Sequence, residues 1–181
     1  MFQAMTAVTA VTNVPSPAEL AARAAIDDAL RSYCRGIDRL HAPAIEAAFH
    51  SDAMLEGYGG GEPTPIGVFV PNVLASLRTK FAATQHRLSN VTIEIEGATA
   101  MVESYVLAYH VIDNTDTGDQ GRTIITFNGR YVDLFEARDG VWKIARRTLR
   151  MDWSDISPMG EPMVGAYVQS GRDGTPDPVF G

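Results

Sequence analysis

The stretch Val91-Thr92-Ile93-Glu94-Ile95-Glu96 decides the fold class, because the hydrophobic pattern of the chain changes its period there. Its β-branched apolar residues alternate with polar ones, which predicts a strand with one exposed face. Further along the chain, apolar runs predict strands over residues 101–112, 123–137 and 141–153. The last two are joined by Asp139-Gly140, a pair that is typical of a tight hairpin turn. The C-terminal half is therefore predicted to be an antiparallel meander.

The N-terminal half has helical spacing instead. The capping box Ser16-Pro17-Ala18-Glu19 predicts a helix start, with the serine as cap and the proline in the first turn. The apolar residues that follow at helical spacing are Ile26, Leu30, Tyr33, Ile37 and Leu40. We expect Pro43 to end this helix, a short helix around 44–49, a strand over 55–58 and a third helix from about Pro71. Helices followed by an antiparallel sheet predict the α+β class.

Length and composition predict one domain with loose ends. The chain has 181 residues, of which 45% are hydrophobic. We expect a flexible arm over residues 1–15, a folded domain over 16–156 and a Pro/Gly-rich tail over 157–181. The arm lacks the positive start and the long apolar middle of a secretory signal, so a cytoplasmic location is expected.

Charge and composition argue against several classes of partner. Acidic residues outnumber basic ones by 22 to 15, and there is no basic run, so no nucleic-acid partner is expected. No apolar run approaches the length of a membrane span. The single Cys34 excludes an internal disulfide framework and is interpreted as a small core residue. The histidines lack metal-binding spacing and Gly59-Gly60-Gly61 lacks a phosphate-loop context, so neither metal nor cofactor is expected.

Tyr33, Asp38 and His86 are the most informative side chains for function. A histidine can take a proton near neutral pH, and a carboxylate beside it fixes its tautomer. A tyrosine hydroxyl could protonate a leaving group or bind a substrate oxygen. Each residue also has an ordinary alternative. A tyrosine on an apolar helical stripe is usually a core residue, and the aspartate and the histidine could both lie in solvent.

Two geometric difficulties accompany this set of residues. On an ideal helix, five steps of roughly 100° leave Tyr33 and Asp38 about 140° apart. They converge only if the helix loosens near Gly36 or if His86 lies between them. Strict alternation back from the apolar residues of its strand also puts His86 on the polar face. A β-bulge near residues 88–90 is therefore needed to turn the histidine inward.

The order of the motifs resembles the SnoaL-like branch of the nuclear-transport-factor-2-like superfamily. The motifs that carry the resemblance are Tyr33-x4-Asp38, Phe49-His50-Ser51-Asp52-Ala53, Phe81-x4-His86-x3-Asn90, Gly129-Arg130-Tyr131-Val132-Asp133 and Trp142-Lys143-Ile144-Ala145-Arg146-Arg147. The resemblance implies a cone-like, curved antiparallel sheet wrapped around about three N-terminal helices. The Tyr–Asp–His set looks like that of bile-acid 7α-dehydratases. The aspartate and the histidine also recur in scytalone dehydratases and in hexachlorocyclohexane dehydrochlorinases, which have a lysine in place of the tyrosine.

The resemblance implies roles for individual residues, because these enzymes remove a proton from carbon and expel a leaving group without metal or cofactor. His86 would be the base, Asp38 its orienting partner and Arg147 an active-site arginine. Arg147 could instead lie on the solvated face of the last strand. The residues that match pocket positions are Leu55, Leu77, Phe81 and His110, to which we add Phe49 and Phe69 as our own candidates.

These residues lead us to expect a dehydratase-type lyase that acts on a hydrophobic alicyclic, steroid-like or polyketide-like small molecule. An isomerase or a hydrolase in the same pocket is the first alternative. The second is a non-catalytic module that binds a small ligand or assembles a larger enzyme, as the β subunits of ring-hydroxylating dioxygenases do. A homodimer is also expected, through an outer sheet face that contains Tyr131, Phe135 or Trp142.

Overall fold

The computed structural model describes residues 14–59, 61–114, 121–160 and 179. These ranges contain three helices and six strands, which in chain order are α1 (Pro17–Asp38), α2 (Ala42–Ala47), β1 (Phe49–Glu56), β2 (Thr64–Pro65), α3 (Ile66–Lys80), β3 (Ala83–Glu96), β4 (Thr99–Asp113), β5 (Arg122–Arg138) and β6 (Val141–Met159). The helices pack against a curved, unclosed sheet, which confirms the predicted cone-like α+β class. No helix within these ranges is both long and apolar enough to cross a membrane.

The sheet has the strand order β2-β1-β6-β5-β4-β3 within the described part of the chain. Strands β3 to β6 pair antiparallel with their neighbours, as the meander predicts. Strand β1, however, runs parallel to β6, with Leu55 opposite Arg147. These two strands are far apart in sequence, so no tight hairpin forces them to be antiparallel. The sheet is therefore mixed, and the parallel pair brings the C-terminal end of β1 next to Arg147.

A β-bulge in β3 turns His86 toward the interior. The pairing of β3 with β4 shifts register between Ser89 and Thr92, and Asn90 there has a φ of 47°. On the N-terminal side of the shift, His86 lies opposite Ala108, which is 1% exposed. Directly opposed residues of an antiparallel pair share one face of the sheet. His86 therefore faces the core, and the bulge that the sequence required is present where it was expected.

Helix α1 begins as its sequence predicts but ends earlier. The Ser16 side chain accepts a hydrogen bond from the Glu19 amide. The buried face of the helix consists of Ala22, Ile26, Leu30, Tyr33, Cys34, Gly36 and Ile37. The helix ends at Asp38, and Pro43 lies in the first turn of α2 instead of closing α1. Proline is tolerated there because the first amides of a helix have no intrahelical partner.

Gly36 allows α2 to pack closely over the last turn of α1. A Cβ atom built at Gly36 would lie 2.6 Å from Ile45 Cγ1 and 2.8 Å from the Ile45 amide nitrogen. Ile45 itself is fully buried in the core. This close approach fixes the end of α1, and with it the position of Asp38.

Several boundaries differ from those predicted. Helix α3 starts at Ile66, so Pro71 lies inside the helix rather than at its start. Strand β1 starts at Phe49, earlier than the predicted strand. Strand β6 runs to Met159, beyond its predicted end. The predicted N-terminal arm and C-terminal tail lie almost entirely outside the described residues.

The aromatic residues suggested for a dimer interface do not form an outer face. Tyr131 and Phe135 are 3% and 0% exposed and belong to the core, and Trp142 packs against that core. Asp133 between them is also buried, so this face of β5 is the inner one despite its charged residue. The expected homodimer remains a prediction that needs other residues, and light scattering of the purified protein would test it.

Candidate functional site

Asp38 and His86 meet where the end of α1 lies against β3. The His86 Nδ1 atom is 2.7 Å from Asp38 Oδ1, and the His86 backbone amide donates to Asp38 Oδ2 at 2.8 Å. The two residues lie 48 positions apart in sequence. The His86 side chain is only 9% exposed and the Asp38 side chain only 16% exposed. The early end of α1 and the bulge in β3 together produce this contact.

The hydrogen bond to Asp38 fixes the tautomer of His86. An ionised carboxylate can only accept hydrogen bonds, so the proton between the two groups lies on Nδ1 of the imidazole. Nε2 then carries the lone pair, and it is the atom that can take a proton from a bound molecule. The pair thus has the geometry that a histidine base requires.

Thr84, which the sequence analysis did not include, also binds Asp38. Its Oγ1 atom donates to Asp38 Oδ1 at 3.1 Å. Thr84 precedes His86 by two residues in β3, so the two side chains lie on the same face of the strand. This period of two places Thr84 on the face of His86, but nothing further in the sequence distinguishes it from other strand threonines.

One predicted pocket residue, His110, lies beside the imidazole, and a second, Phe81, packs against His110. The His110 ring on β4 packs edge-on against the His86 ring, with 5.4 Å between their centroids. The Phe81 ring lies 4.9 Å from the His110 ring. Phe81 directly follows α3, so α3 and β4 together place an aromatic wall next to His86.

Tyr33 belongs to a different hydrogen-bonded group from the Asp38–His86 pair. Its hydroxyl lies 3.1 Å from the hydroxyl of Tyr58, another residue that the sequence analysis did not include. Helix α1 stays α-helical through Gly36, so no loosening brings Tyr33 and Asp38 together. Of the three predicted residues, Tyr33 and Asp38 lie on α1 and His86 lies on β3. A hydrogen bond joins Asp38 to His86, whereas Tyr33 bonds to Tyr58 instead.

Both tyrosine hydroxyls keep their protons near neutral pH. Burial raises the pKa of Tyr33 above its ordinary value, and the nearby Arg147 guanidinium opposes that rise. Burial likewise raises the pKa of Tyr58 well above the ordinary value. A protonated Tyr33 can donate a hydrogen bond or a proton to an oxygen atom that reaches it.

Arg147 is buried among aromatic side chains and is 0% exposed, so the alternative that places it on a solvated face is wrong. Its Nε and Nη2 atoms donate to the two carboxylate oxygens of Asp133 at 2.8 and 2.7 Å. Its Cζ atom lies 4.3 Å from the centroid of the Tyr33 ring and 4.0 Å from that of Tyr131. Within the described ranges, its Nη1 atom has no hydrogen-bond partner.

Asp133 keeps the buried guanidinium charged. Burial by itself lowers the pKa of Arg147, but the charge and the two hydrogen bonds of Asp133 outweigh burial and hold that pKa well above its ordinary value. The result is a fixed positive charge under the Tyr33 ring. Such a charge stabilises negative charge that develops on the hydroxyl of this tyrosine.

A cavity of about 430 Å³ borders the Asp38–His86 pair. Its other lining residues are Asp27, Arg31, Cys34, Arg35, Arg39, Leu88 and Val91. A second cavity, of about 700 Å³, lies between α2, β1, the start of α3 and the hairpin that joins β5 to β6, and Phe49 lines it. No group of three or more histidine, cysteine or carboxylate side chains in the described ranges is arranged to hold a metal ion.

The remaining predicted pocket residues lie in the packed core. Leu55 is 1% exposed, and Phe69 and Leu77 are each 6% exposed. Phe69 packs against the Tyr58 ring, with 4.8 Å between centroids. The structure thus places these side chains in one buried hydrophobic cluster with Tyr33, in the interior that also contains Arg147.

The Cys34 thiol is expected to be unreactive in the folded protein. It is 7% exposed, and burial raises its pKa to about 12. Because the thiolate is the nucleophile, iodoacetamide at about pH 8 should label the native protein far more slowly than the urea-unfolded protein. Mass spectrometry of timed samples measures both rates, and equal rates would contradict the buried position of this thiol.

Several solved structures share this fold over most of the length of the chain. A protein of Novosphingobium aromaticivorans DSM 12444, provisionally named a scytalone dehydratase, is 25% identical, with a TM-score of 0.65 over 84% of this chain and 98% of that one. The hexachlorocyclohexane dehydrochlorinase LinA-type3 of Novosphingobium barchaimii LL02 is 22% identical, with a TM-score of 0.65 over 82% and 97%. The Kfla4162 protein of Kribbella flavida is 18% identical, with a TM-score of 0.67 over 75% and 94%.

A search of curated protein sequences found no match. The sequence model of the SnoaL-like domain, in contrast, matches residues 18–148. This match covers α1 from its second residue, both Asp38 and His86, and the sheet as far as Thr148 in β6. The resemblance inferred from the motifs is confirmed, and the chain belongs to the SnoaL-like domain family.

Proposed function

We propose that this protein is a lyase that needs no cofactor, in which His86 removes a proton from a carbon atom of the substrate and Asp38 orients the imidazole. The observation that carries the proposal is the 2.7 Å hydrogen bond between His86 Nδ1 and Asp38 Oδ1 at a largely buried position. This bond leaves Nε2 as an oriented base.

In the proposed elimination, the electrons of a C–H bond form a C=C bond while a neighbouring C–O bond breaks. His86 Nε2 takes the proton, and Asp38 stabilises the imidazolium that forms. Tyr33 gives its proton to the departing hydroxyl, which leaves as water, and the charge of Arg147 stabilises the resulting phenolate. The proton gained by His86 balances the proton lost by Tyr33, and exchange with water restores both groups.

Relatives support this type of reaction. One solved structure is provisionally named a scytalone dehydratase, and another is a hexachlorocyclohexane dehydrochlorinase. Both names describe eliminations, the first of water and the second of hydrogen chloride. We favour loss of water, because Tyr33 stands where the dehydrochlorinases have a lysine.

The substrate that we propose is a hydrophobic alicyclic, steroid-like or polyketide-like molecule. Phe81 and His110 provide an aromatic wall beside the proposed base. The apolar cluster that includes Leu55, Phe69 and Leu77 adjoins Tyr33. An apolar surface of this kind binds the body of such a molecule, while the few polar groups orient it. We retain the homodimer and the cytoplasmic location as further parts of the proposal.

A non-catalytic module that binds a small ligand or assembles a larger enzyme is the second candidate. The observation that favours it is the burial of Leu55, Phe69 and Leu77 within the packed core, where a ligand would have to displace them. Such a module would not require the Asp38–His86 pair, which is why we place the lyase first.

A substrate screen distinguishes the two candidates. The wild-type protein is incubated with a panel of hydroxylated alicyclic ketones, and mass spectrometry detects the loss of one water. A parallel incubation in deuterated water detects proton removal from carbon even where no group leaves. We expect both signals with the wild type and neither with His86→Gln, whose fold is checked by circular dichroism. Ligand binding without turnover or exchange across the panel would favour the module.

A further inference from the structure

Among the described residues, three hydrogen-bond donors of β3 hold the Asp38 carboxylate. Its Oδ2 atom accepts from the His86 backbone amide at 2.8 Å. Its Oδ1 atom accepts two hydrogen bonds, from His86 Nδ1 at 2.7 Å and from Thr84 Oγ1 at 3.1 Å. Asp38 is the last residue of α1, so the neighbouring backbone no longer follows the helix. The orientation of this carboxylate therefore depends on β3 and not on its own element.

The Thr84 hydroxyl has a different role from the other two donors. The backbone amide fixes Oδ2 but leaves rotation of the carboxylate about that contact. The imidazole, which packs against the His110 ring, restrains Oδ1 through a side chain that can itself rotate. Thr84 is thus the donor to Oδ1 that does not move with the ring. Thr84 lies two residues before His86 in β3, so its side chain is on the same face of the sheet as the imidazole.

We propose that Thr84 is a positioning residue that locks the Asp38 carboxylate, and through it the tautomer and orientation of the His86 imidazole. The expected effect of Thr84 on turnover rests on the proposed function. Its effect on the tautomer of His86 can be measured without a substrate. Without the Thr84 hydroxyl, the carboxylate can turn about its Oδ2 contact, which moves Oδ1 away from Nδ1 and weakens the bond that holds the proton there. A fraction of the imidazole then carries its proton on Nε2, where it cannot act as a base.

The first experiment is ¹⁵N NMR of the histidine rings in the full chain. His86 is one of 4 histidines and is assigned by its loss from the spectrum of His86→Gln. In the wild type we expect a protonated Nδ1 and an unprotonated Nε2. Thr84→Val keeps the β-branched shape and removes the hydroxyl, and it should shift both resonances toward a mixture of tautomers. Thr84→Ser should restore the wild-type spectrum, and Thr92→Val, at an exposed site on the same strand, should leave it unchanged.

The second experiment uses a substrate from the screen. Thr84→Val should lower kcat by about 10- to 100-fold, as expected for the loss of a hydrogen bond to a charged group, with little change in KM. Thr84→Ser should recover most of kcat, and Thr92→Val should match the wild type. Wild-type tautomer populations in a folded Thr84→Val variant would overturn the proposal, whether or not a substrate is known. If the tautomers shift but no panel compound is turned over, the positioning role holds and the proposed lyase activity fails.

Discussion

Replacing His86 or Asp38 with alanine is expected to lower kcat/KM by roughly 10²- to 10⁴-fold on a substrate from the screen, and replacing both should cost little more. The two residues act as one unit, because the base needs the carboxylate to hold its proton on Nδ1. Loss of the histidine removes the base itself. The carboxylate then has no imidazole to orient, so its removal as well should reduce turnover little further. Steady-state kinetics of the two single variants and the double variant measure this non-additivity.

Two further variants serve as a surface control and as a comparison in this double-mutant experiment. Asp52→Asn changes an exposed carboxylate that pairs with Arg138 on the surface, and it should leave turnover near the wild-type value. Tyr33→Phe should cost less than either dyad variant if its hydroxyl only assists the leaving group. Near-normal turnover by His86→Ala would exclude the proposed base. Losses that simply add in the double variant would mean that Asp38 and His86 act separately.

The contact between Asp38 and His86 was predicted from the resemblance to the SnoaL-like family, and two local patterns of the sequence are consistent with it. A capped amphipathic helix ends near Asp38, and strand alternation placed His86 inward once a bulge was assumed. The presence of Thr84 in the site follows from the same alternation, but a threonine in a strand is so common that its type gives no signal. Only the distance to the carboxylate distinguishes it.

The environment of Arg147 could not be predicted, because its neighbour in sequence has the same chemistry. Arg146 is partly exposed and pairs with Glu56, whereas Arg147 is fully buried against Asp133. Which of two adjacent arginines faces inward depends on strand register, and β5 and β6 shift register between Leu134 and Phe135. A register shift of this kind exchanges the two faces of a strand without changing its composition.

The open volume of the site is a third property that sequence patterns do not contain. The resemblance suggested Leu55 and Leu77 as pocket residues, to which we added Phe69, and all three are interior. Periodicity says nothing about whether interior side chains fill the space or leave a pocket, since that depends on the curvature of the sheet and the distance of the helices. The cavity that borders Asp38 and His86 is lined by charged residues of α1 that the apolar pattern could not indicate.

Asp133→Ala is expected to lower the free energy of unfolding by about 3–5 kcal/mol, because it leaves the Arg147 charge buried without its partner. Both side chains are 0% exposed, and two hydrogen bonds join them. Arg147 already has one buried nitrogen without a hydrogen-bond partner in the described part of the chain, so the variant would leave its entire guanidinium unsatisfied. Urea denaturation monitored by circular dichroism measures the change.

A matched control for Asp133→Ala lies on the other face of the same two strands. Arg130 of β5 donates to Asp152 of β6 at 3.0 Å, but these side chains are 33% and 38% exposed. Asp152→Ala should therefore lower the free energy of unfolding by at most about 1 kcal/mol, as is usual for exposed ion pairs.

If Asp133→Ala does not fold, replacing both buried partners, as Asp133→Leu with Arg147→Met, should restore a folded protein, because no buried charge then remains. A cost for Asp133→Ala as small as that of Asp152→Ala would mean that water or another group reaches Arg147, and that the charge under the Tyr33 ring is not isolated as the structure indicates.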